Sequence, residues 1–205
     1  MGVIWCVHGF LGLPGDWDFL PLPHRSVDLF KGEEIDAGPD DSLIAYSMGG
    51  RLALQFLGKH RIAKAVIVSA GIEKADSSRL AVDENWARRF ESDDWLPLIR
   101  SWNAQSVLGQ HHIDREEKDF DRTKLARALR EWSPAVLPAP RLEEIETPVL
   151  WVAGERDWKY VEIGERAVAR LPTARLWICR GAGHRVPWEQ PEEFSQELRR
   201  FLQLQ

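Results

Sequence analysis

The sequence predicts an α/β fold built on a mostly parallel sheet of about six strands. Short apolar runs, typical of strands buried on both faces, alternate with stretches of helical periodicity. The middle of the chain breaks this alternation, because it holds only charge-rich helical patterns such as DENWARRFESDDW and DRTKLARALREW. The strand-like runs occupy residues 3–9, 26–30, 42–46, 65–70, 148–154 and 174–181.

A chain of 205 residues normally folds as one domain. We expect a core formed by residues 1–71 and 143–205, because strand-like runs fall only there. Residues 72–142 are predicted to form a helical cap, inserted before the penultimate strand and lying over one end of the sheet. The segment KGEEIDAGPDD, residues 31–41, is too short for a full crossover helix. One helix is therefore expected to be missing or reduced to a turn at that point.

Composition narrows the class of protein. Apolar residues make up 44% and charged residues 29% of the chain, as in soluble globular proteins, and no apolar run reaches the length of a membrane span. The net charge of −5 argues against nucleic acid as a partner. Cys6 and Cys179 both lie in strand-like runs and are expected to be buried free thiols. We therefore expect a cytoplasmic protein that acts on a small molecule, with no membrane or nucleic-acid partner.

The stretch SLIAYSMGGRLALQF, residues 42–56, joins a strand-like run to a helix-like run through Ser47. A strand that becomes a helix through Ser-Met-Gly-Gly must turn sharply, and glycine permits the close packing that the turn needs. Such a turn lifts the serine oxygen out of the sheet, beside the first free N–H groups of the helix. The stretch fits a nucleophile elbow, with Ala45 in place of the first glycine of the G-x-S-x-G pattern. The alternative is an ordinary turn in which Ser47 caps the helix.

Two further polar residues, Asp157 and His184, each follow a strand-like run. With Ser47 they have the chain order of the α/β-hydrolase triad. His184 would accept the proton of the serine, and Asp157 would fix the imidazole tautomer and stabilise its charged form. The backbone N–H groups of Phe10 and Met48 would form the oxyanion hole. Taken singly, Asp157 could be a helix cap and His184 a solvated loop residue, but the joint placement favours the catalytic interpretation.

A more specific resemblance rests on four stretches: VHGFLGLPGDW, YSMGGRLAL, WARRFES with SWNAQSVL, and GERDWKY. Together they identify the chain as similar to the α/β-hydrolases, and most of all to the 2-succinyl-6-hydroxy-2,4-cyclohexadiene-1-carboxylate (SHCHC) synthases, lyases of menaquinone biosynthesis. Tyr46, Arg51 and Lys159 are more particular to these lyases than the triad is. The chain begins at what would be the third strand of that family, so the resemblance implies a sheet that lacks the N-terminal hairpin.

The resemblance implies a substrate with several carboxylates, from which pyruvate is eliminated. Arginine binds carboxylates through a planar fork, and Arg51 lies one helical turn after the serine. By resemblance, Arg89 and Arg122 in the insert make further carboxylate contacts, and Trp102 forms an apolar wall. Arg88 is the alternative to its neighbour Arg89, and a solvated helix face is the alternative interpretation for each arginine of the insert. Lys159 could equally be a surface residue.

Three functions agree with the predicted fold. The first is the carbon–oxygen lyase, and the second is a small serine carboxylesterase in which Ser47 becomes acylated. The third is a non-catalytic binding protein on a hydrolase scaffold, against which the complete triad argues. Fold alone does not separate these functions. The arginines and Lys159 favour the lyase, because an ester substrate has no need of carboxylate partners.

No metal or cofactor is expected. His111 and His112 have no cysteine or carboxylate at the spacing of a metal site. The sequence also contains no glycine-rich phosphate loop. His8 precedes the predicted oxyanion loop and is expected to shape that loop without reacting.

Overall fold

The computed structural model of the chain describes residues 2–108 and 111–203. Its centre is a six-stranded sheet in the order β2-β1-β3-β4-β5-β6, and every neighbouring pair of strands is parallel. The predicted mostly parallel sheet is therefore confirmed. The strands are β1 (Ile4–Val7), β2 (Arg25–Val27), β3 (Ser42–Tyr46), β4 (Lys64–Val68), β5 (Val149–Gly154) and β6 (Ala174–Cys179).

The helices are α1 (Met48–Leu57), α2 (Ser77–Ser92), α3 (Trp95–Asn103), α4 (Arg122–Glu131), α5 (Trp158–Val168), α6 (Val186–Glu189) and α7 (Pro191–Leu202). Three of them, α2 to α4, form the predicted insert before β5, the penultimate strand. Between β2 and β3 the chain makes a 3₁₀ turn at Leu29–Lys31, where a crossover helix was predicted to be lost. None of the described helices has both the length and the apolar character that a membrane span requires.

Apolar side chains pack on both faces of the sheet, because successive residues of a strand point to opposite sides. One face of β1 and β3 packs with α1, α5 and the helices of the insert, and includes Trp5, Val7, Leu43 and Ala45. The other face packs with α7 and includes Ile4, Cys6, Ile44 and Tyr46. The insert therefore shares one continuous core with the sheet.

The two cysteines are buried free thiols, as predicted. Burial raises the pKa of Cys6 in β1. Burial and the neighbouring Glu193, Glu189 and Glu155 raise the pKa of Cys179 to about 11. Both thiols therefore stay protonated near neutral pH, and they pack as small apolar side chains.

The start of α1 packs directly against the end of β1. A Cβ atom on Gly49 would lie 2.2 Å from the backbone oxygen of His8 and 2.9 Å from Cγ1 of Val7. On Gly50 it would lie 2.7 Å from Cβ of Ala70. Only glycine leaves room for a helix this close to the strand ends, so the Gly-Gly pair fixes how near α1 approaches the sheet.

Replacing Gly49 by alanine should destabilise the protein by about 1–3 kcal/mol, because the added methyl group meets backbone atoms that cannot move aside. Urea unfolding followed by circular dichroism measures this loss. Gly58→Ala, at the other end of α1, is the matched control. Gly58 has a φ of −69° and its Cβ would be in ordinary contact 3.6 Å from the Leu54 oxygen. Equal stability of the two variants would contradict the role assigned to Gly49.

Candidate active site

Ser47 lies at the sharp turn between β3 and α1. Its φ of 51° and ψ of −112° are uncommon for a residue other than glycine, and such a conformation costs about 1–3 kcal/mol. The turn is held by hydrogen bonds from Ser47 N to Val68 O (2.8 Å) and from Arg51 N to Ser47 O (3.2 Å). Among the described residues, the Ser47 side chain caps no backbone N–H of α1. The strained turn instead directs the hydroxyl towards a histidine.

Ser47, His184 and Asp157 form a chain of hydrogen bonds. Ser47 Oγ lies 3.2 Å from His184 Nε2, and His184 Nδ1 lies 2.6 Å from Asp157 Oδ2. The histidine is 3% exposed and the aspartate 8% exposed. Because the carboxylate accepts the Nδ1 proton, the lone pair of Nε2 faces the serine. The structure thus brings together the three residues that the sequence predicted as a triad.

Close packing of two strand-end loops places the aspartate beside the histidine. A Cβ atom on Gly154, at the end of β5, would lie 2.0 Å from the backbone oxygen of Gly183. Arg156 N donates to Ala182 O at 2.8 Å across the same contact. The Tyr160 ring packs edge-on against His184, with 4.5 Å between ring centroids. The imidazole is therefore held by backbone packing and by an aromatic neighbour as well as by Asp157.

The loop after β1 passes directly beside the serine. A Cβ atom on Gly9 would lie 3.4 Å from Cβ of Ser47 and 2.8 Å from the ring of Tyr46. Phe10, the next residue, lines the same cavity as Ser47 and Met48. The two residues predicted to supply the oxyanion hole therefore flank the serine.

His8 shapes this loop through both of its ring nitrogens. Leu29 N donates to His8 Nε2 at 3.2 Å, so the ring proton lies on Nδ1, which donates to Gly9 O at 2.8 Å. Burial lowers the pKa of His8, which favours this neutral form. With both nitrogens bound to backbone groups, His8 orients the loop and is not placed to transfer a proton at the serine.

A cavity of about 350 Å³ opens over Ser47 and His184. Its floor comes from the strand-end loops and its walls from the insert. The insert contributes Arg79, Asp83, Trp102, Gln105, Val107, Leu108, Ala128 and Leu129. Residues 72–142 thus supply much of the surface that a ligand above the serine would meet.

Cations outnumber anions among the described residues that line this cavity. The charged residues are Arg51, Lys74, Arg79 and Lys159, with Glu73 and Asp83. Asp83 is paired with Arg79 at 2.7 Å. Arg51 donates to the backbone oxygen of Trp132 at 3.0 Å, and burial lowers the pKa of Arg51. A partly dehydrated guanidinium with a neutral partner favours an anionic ligand.

The predicted substrate contacts divide into two groups. Arg51, Lys159 and Trp102 line the cavity above the serine. Tyr46 lies below it, buried against Gly9 and beside a smaller second pocket.

Arg89 and Arg122, the two arginines of the insert predicted to bind the substrate, do not reach the cavity, which corrects that expectation. Neither is among the described residues that line it. Arg89 stacks on the ring of Trp86 at 4.4 Å and pairs with Asp93 at 2.9 Å. Arg88, the alternative to Arg89, pairs with Glu84 on the surface at 3.8 Å. The i,i+4 spacing to acidic residues on α2 holds both arginines along their own helix.

Arg122 binds the C-terminal end of α2. Its guanidinium donates to the backbone oxygens of Arg89, Phe90 and Asp93. The last carbonyls of a helix have no partner within the helix, and they lie at the negative end of its dipole. The first residue of α4 thus caps the end of α2, and Arg122 joins two helices of the insert.

Arg122→Ala should destabilise the insert by about 1–3 kcal/mol, because three backbone oxygens lose a charged donor. Arg89→Ala, which removes a surface ion pair, should change stability by less than about 1 kcal/mol. Thermal unfolding of both variants measures the difference, and Arg89→Ala is the matched control. If Arg122→Ala unfolded like the wild type and lost activity alone, Arg122 would be a ligand contact after all.

Sequence reasoning missed several residues of the site. Tyr160 follows Lys159 in the first turn of α5, and Arg185 follows His184, so their position directly after predicted site residues was a usable signal. Arg79 and Trp132 also line the cavity. No motif distinguished these two from other charged or aromatic residues of the insert, and only the packing of the helices selects them.

No group of three or more His, Cys, Asp or Glu side chains in residues 2–108 and 111–203 is arranged to hold a metal ion. The acidic groups at the cavity already have partners. Asp83 binds Arg79 and Glu73 pairs with Arg166 at 3.1 Å, while Asp157 binds His184.

Residues 6–197 match the alpha/beta hydrolase family, and the chain belongs to that family. It is 28% identical over 245 residues to the 2-succinyl-6-hydroxy-2,4-cyclohexadiene-1-carboxylate synthase of Yersinia pseudotuberculosis serotype O:3 (strain YPIII), which covers 98% of this chain and 86% of that relative. MenH from S. aureus superposes with a TM-score of 0.85 at 22% identity, covering 98% of this chain and 93% of the other. A malate-bound thermophilic esterase from Thermogutta terrifontis superposes with a TM-score of 0.81 at 19% identity, covering 99% and 91%.

Proposed function

We propose that this α/β-hydrolase is a carbon–oxygen lyase that eliminates pyruvate from 2-succinyl-5-enolpyruvyl-6-hydroxy-3-cyclohexene-1-carboxylate, as SHCHC synthase does. The observation that carries the proposal is a serine–histidine–aspartate chain on the floor of a cavity rich in cations. The synthase from Yersinia, aligned along nearly the whole chain, supports the same activity. The substrate is a small polycarboxylate, and the reaction needs no cofactor.

In this reaction the triad acts as a base. Ser47 removes a proton from a ring carbon of the substrate while His184 takes the hydroxyl proton, and Asp157 stabilises the imidazolium that forms. The electrons of the broken C–H bond move through the ring and expel the enolpyruvyl oxygen, which breaks the C–O bond. The leaving enolate takes a proton on its terminal carbon and becomes pyruvate, and the imidazolium of His184 gives up its proton, which restores the neutral triad. Phe10 and Met48 line the cavity together with Ser47, and in this proposal their N–H groups stabilise the developing negative charge.

Arg51 is the principal carboxylate partner in this proposal. It lines the cavity one helical turn beyond Ser47, and Lys159 lies on the same lining. A charge-assisted hydrogen bond to a carboxylate contributes about 1.5–3 kcal/mol. The two cations therefore favour a substrate with more than one carboxylate over a neutral ester.

A serine carboxylesterase is the second candidate, because the same hydrogen-bond chain also activates a serine nucleophile. The structural likeness to the Thermogutta esterase is compatible with it. In this case Ser47 attacks the ester carbonyl, and the apolar wall at Trp102 binds the acyl or alcohol group. The positive charge of the cavity favours the lyase over the esterase.

Ser47→Ala, Asp157→Asn and His184→Ala should each lower turnover by roughly two to five orders of magnitude, because the three groups act as one unit. For the same reason the losses should not add in double variants. Pyruvate release from the proposed substrate, coupled to lactate dehydrogenase, measures turnover. Ser101→Ala, at an exposed serine of α3, is the matched control and should keep full activity. Near-normal turnover in His184→Ala would show that another group is the base.

Arg51→Ala should lower kcat/KM for pyruvate release by roughly ten- to a hundredfold, because one charge-assisted contact is lost. Hydrolysis of a neutral p-nitrophenyl ester by the same variant should change far less. Arg51→Lys should recover only part of the loss, since an ammonium group cannot form the planar fork. The ratio of the two activities cancels any general damage, including loss of the bond to Trp132. An equal fall in both activities would make Arg51 structural and favour the esterase.

A further inference from the structure

Ser47 also borders a second pocket, of about 50 Å³, which we call the side pocket. Phe10, Ser47, Trp102 and Leu108 line both this pocket and the larger cavity, so the two spaces adjoin at the serine. The polar and charged residues among the remaining lining of the side pocket include Asp16, Tyr46, Asn103, Arg115 and Arg185.

Of the two buried arginines that line the side pocket, Arg185 alone gives it a net positive charge. The side chain of Arg115 is 10% exposed and is neutralised by Asp16 at 2.6 Å. Arg185 is 6% exposed, and its bonds go to neutral groups, Asn103 Oδ1 at 3.0 Å and the backbone oxygen of His111. In the described ranges no carboxylate oxygen lies within ion-pair distance of the Arg185 guanidinium. A buried charge without a counter-ion raises the free energy of the folded protein, so an anion in the pocket would stabilise the Arg185 guanidinium.

The carboxylate nearest to Arg185 along the chain is already engaged elsewhere. Glu189 accepts hydrogen bonds from the backbone N–H groups of Gly183 and Arg185, at 2.8 Å and 3.0 Å. It therefore stabilises the turn that carries His184, and it leaves the Arg185 guanidinium without an acidic partner.

We infer that the side pocket is a subsite for a short carboxylate, bound by the Arg185 guanidinium next to Ser47. A volume of 50 Å³ holds roughly three or four water-sized atoms, which matches the three heavy atoms of a carboxylate group. Arg185 has five N–H donors, and its bonds to Asn103, His111 and Tyr46 occupy only part of them. Tyr46, which also contacts Arg185, presents its hydroxyl in the same pocket.

Because the subsite adjoins Ser47, it can bind an acid that the reaction releases. In the proposed elimination the leaving group is a three-carbon 2-oxo acid, and its carboxylate would occupy the side pocket while Arg51 binds the remainder of the substrate. This identification of the ligand rests on the proposed function. The binding of a short carboxylate at Arg185 does not, and it can be measured without turnover.

The competing explanation for Arg185 is purely structural. Its hydrogen bonds to Asn103 and His111 link the loop after β6 to the insert. Arg115 links the insert to Leu11 and Asp16 in the same way. A structural link of this kind needs no ligand. If it is the whole role of Arg185, the folded protein should show no preference for a short acid.

Isothermal titration calorimetry of the full chain with pyruvate and with its neutral isostere pyruvamide distinguishes the two explanations. The wild type should bind pyruvate at one saturable site and bind pyruvamide at least about tenfold more weakly, because the amide lacks the charge that Arg185 requires. Arg185→Gln should lose the same factor for pyruvate. Arg61→Gln, at an arginine that is 72% exposed and paired with Glu146, is the charge-matched control and should bind pyruvate as the wild type does.

Arg51→Gln locates the bound acid, because its loss of affinity for pyruvate should be smaller than that of Arg185→Gln if the acid occupies the side pocket. Arg185→Lys retains the charge and should recover part of the affinity.

Equal binding of pyruvate and pyruvamide by the wild type would overturn the inference even if Arg185→Gln failed to fold. Loss of pyruvate binding in Arg51→Gln, with retention in Arg185→Gln, would overturn it as well. Pyruvate release from the lyase substrate without pyruvate binding at Arg185 would refute the subsite alone, whereas binding without release would refute the proposed function alone.

Discussion

The contact of α1 with the end of β1 is the constraint on which the site depends. The helix can start this close to the strand only because Gly49 has no side chain, and its approach forces the turn at Ser47 into a positive φ. The Ser47 backbone remains in this costly conformation because β4 and α1 bind it on both sides. A second close contact, between Gly154 and Gly183, places Asp157 against His184. Backbone packing at strand ends therefore sets the geometry of the hydrogen-bond chain from Ser47 through His184 to Asp157.

The role of each arginine in and around the insert depends on the groups to which its side chain is hydrogen-bonded. Arg122 binds carbonyl oxygens at the end of α2, and Arg89 binds an acidic neighbour on its own helix, so both stabilise the cap. Arg51 and Arg185 instead have neutral partners and border the space around Ser47. Since a cation with a neutral partner remains available to an anion, these two carry the argument for carboxylate recognition.

The wall of the cavity is coupled to the loop beside the serine. Trp102 of α3 packs on Phe10, with 4.6 Å between ring centroids, and Trp86 of α2 packs edge-on against Trp102 at 4.9 Å. A shift of the insert would therefore reach the loop that carries the Phe10 N–H. This aromatic contact gives the cap a role in arranging the site, besides covering it.

The sequence by itself determined the parallel sheet, the place of the insert, and the three residues of the hydrogen-bond chain. These features are local, because a buried strand followed by a particular residue shows its position at the sheet edge without knowledge of its neighbours. Only the tertiary structure decided which arginines face the ligand space. Arg89 and Arg51 look alike in sequence, and α2 turns the first along the surface while α1 directs the second into the cavity. The direction of a helical side chain relative to the site depends on how that helix packs against the rest of the fold, and a local sequence pattern does not encode that packing.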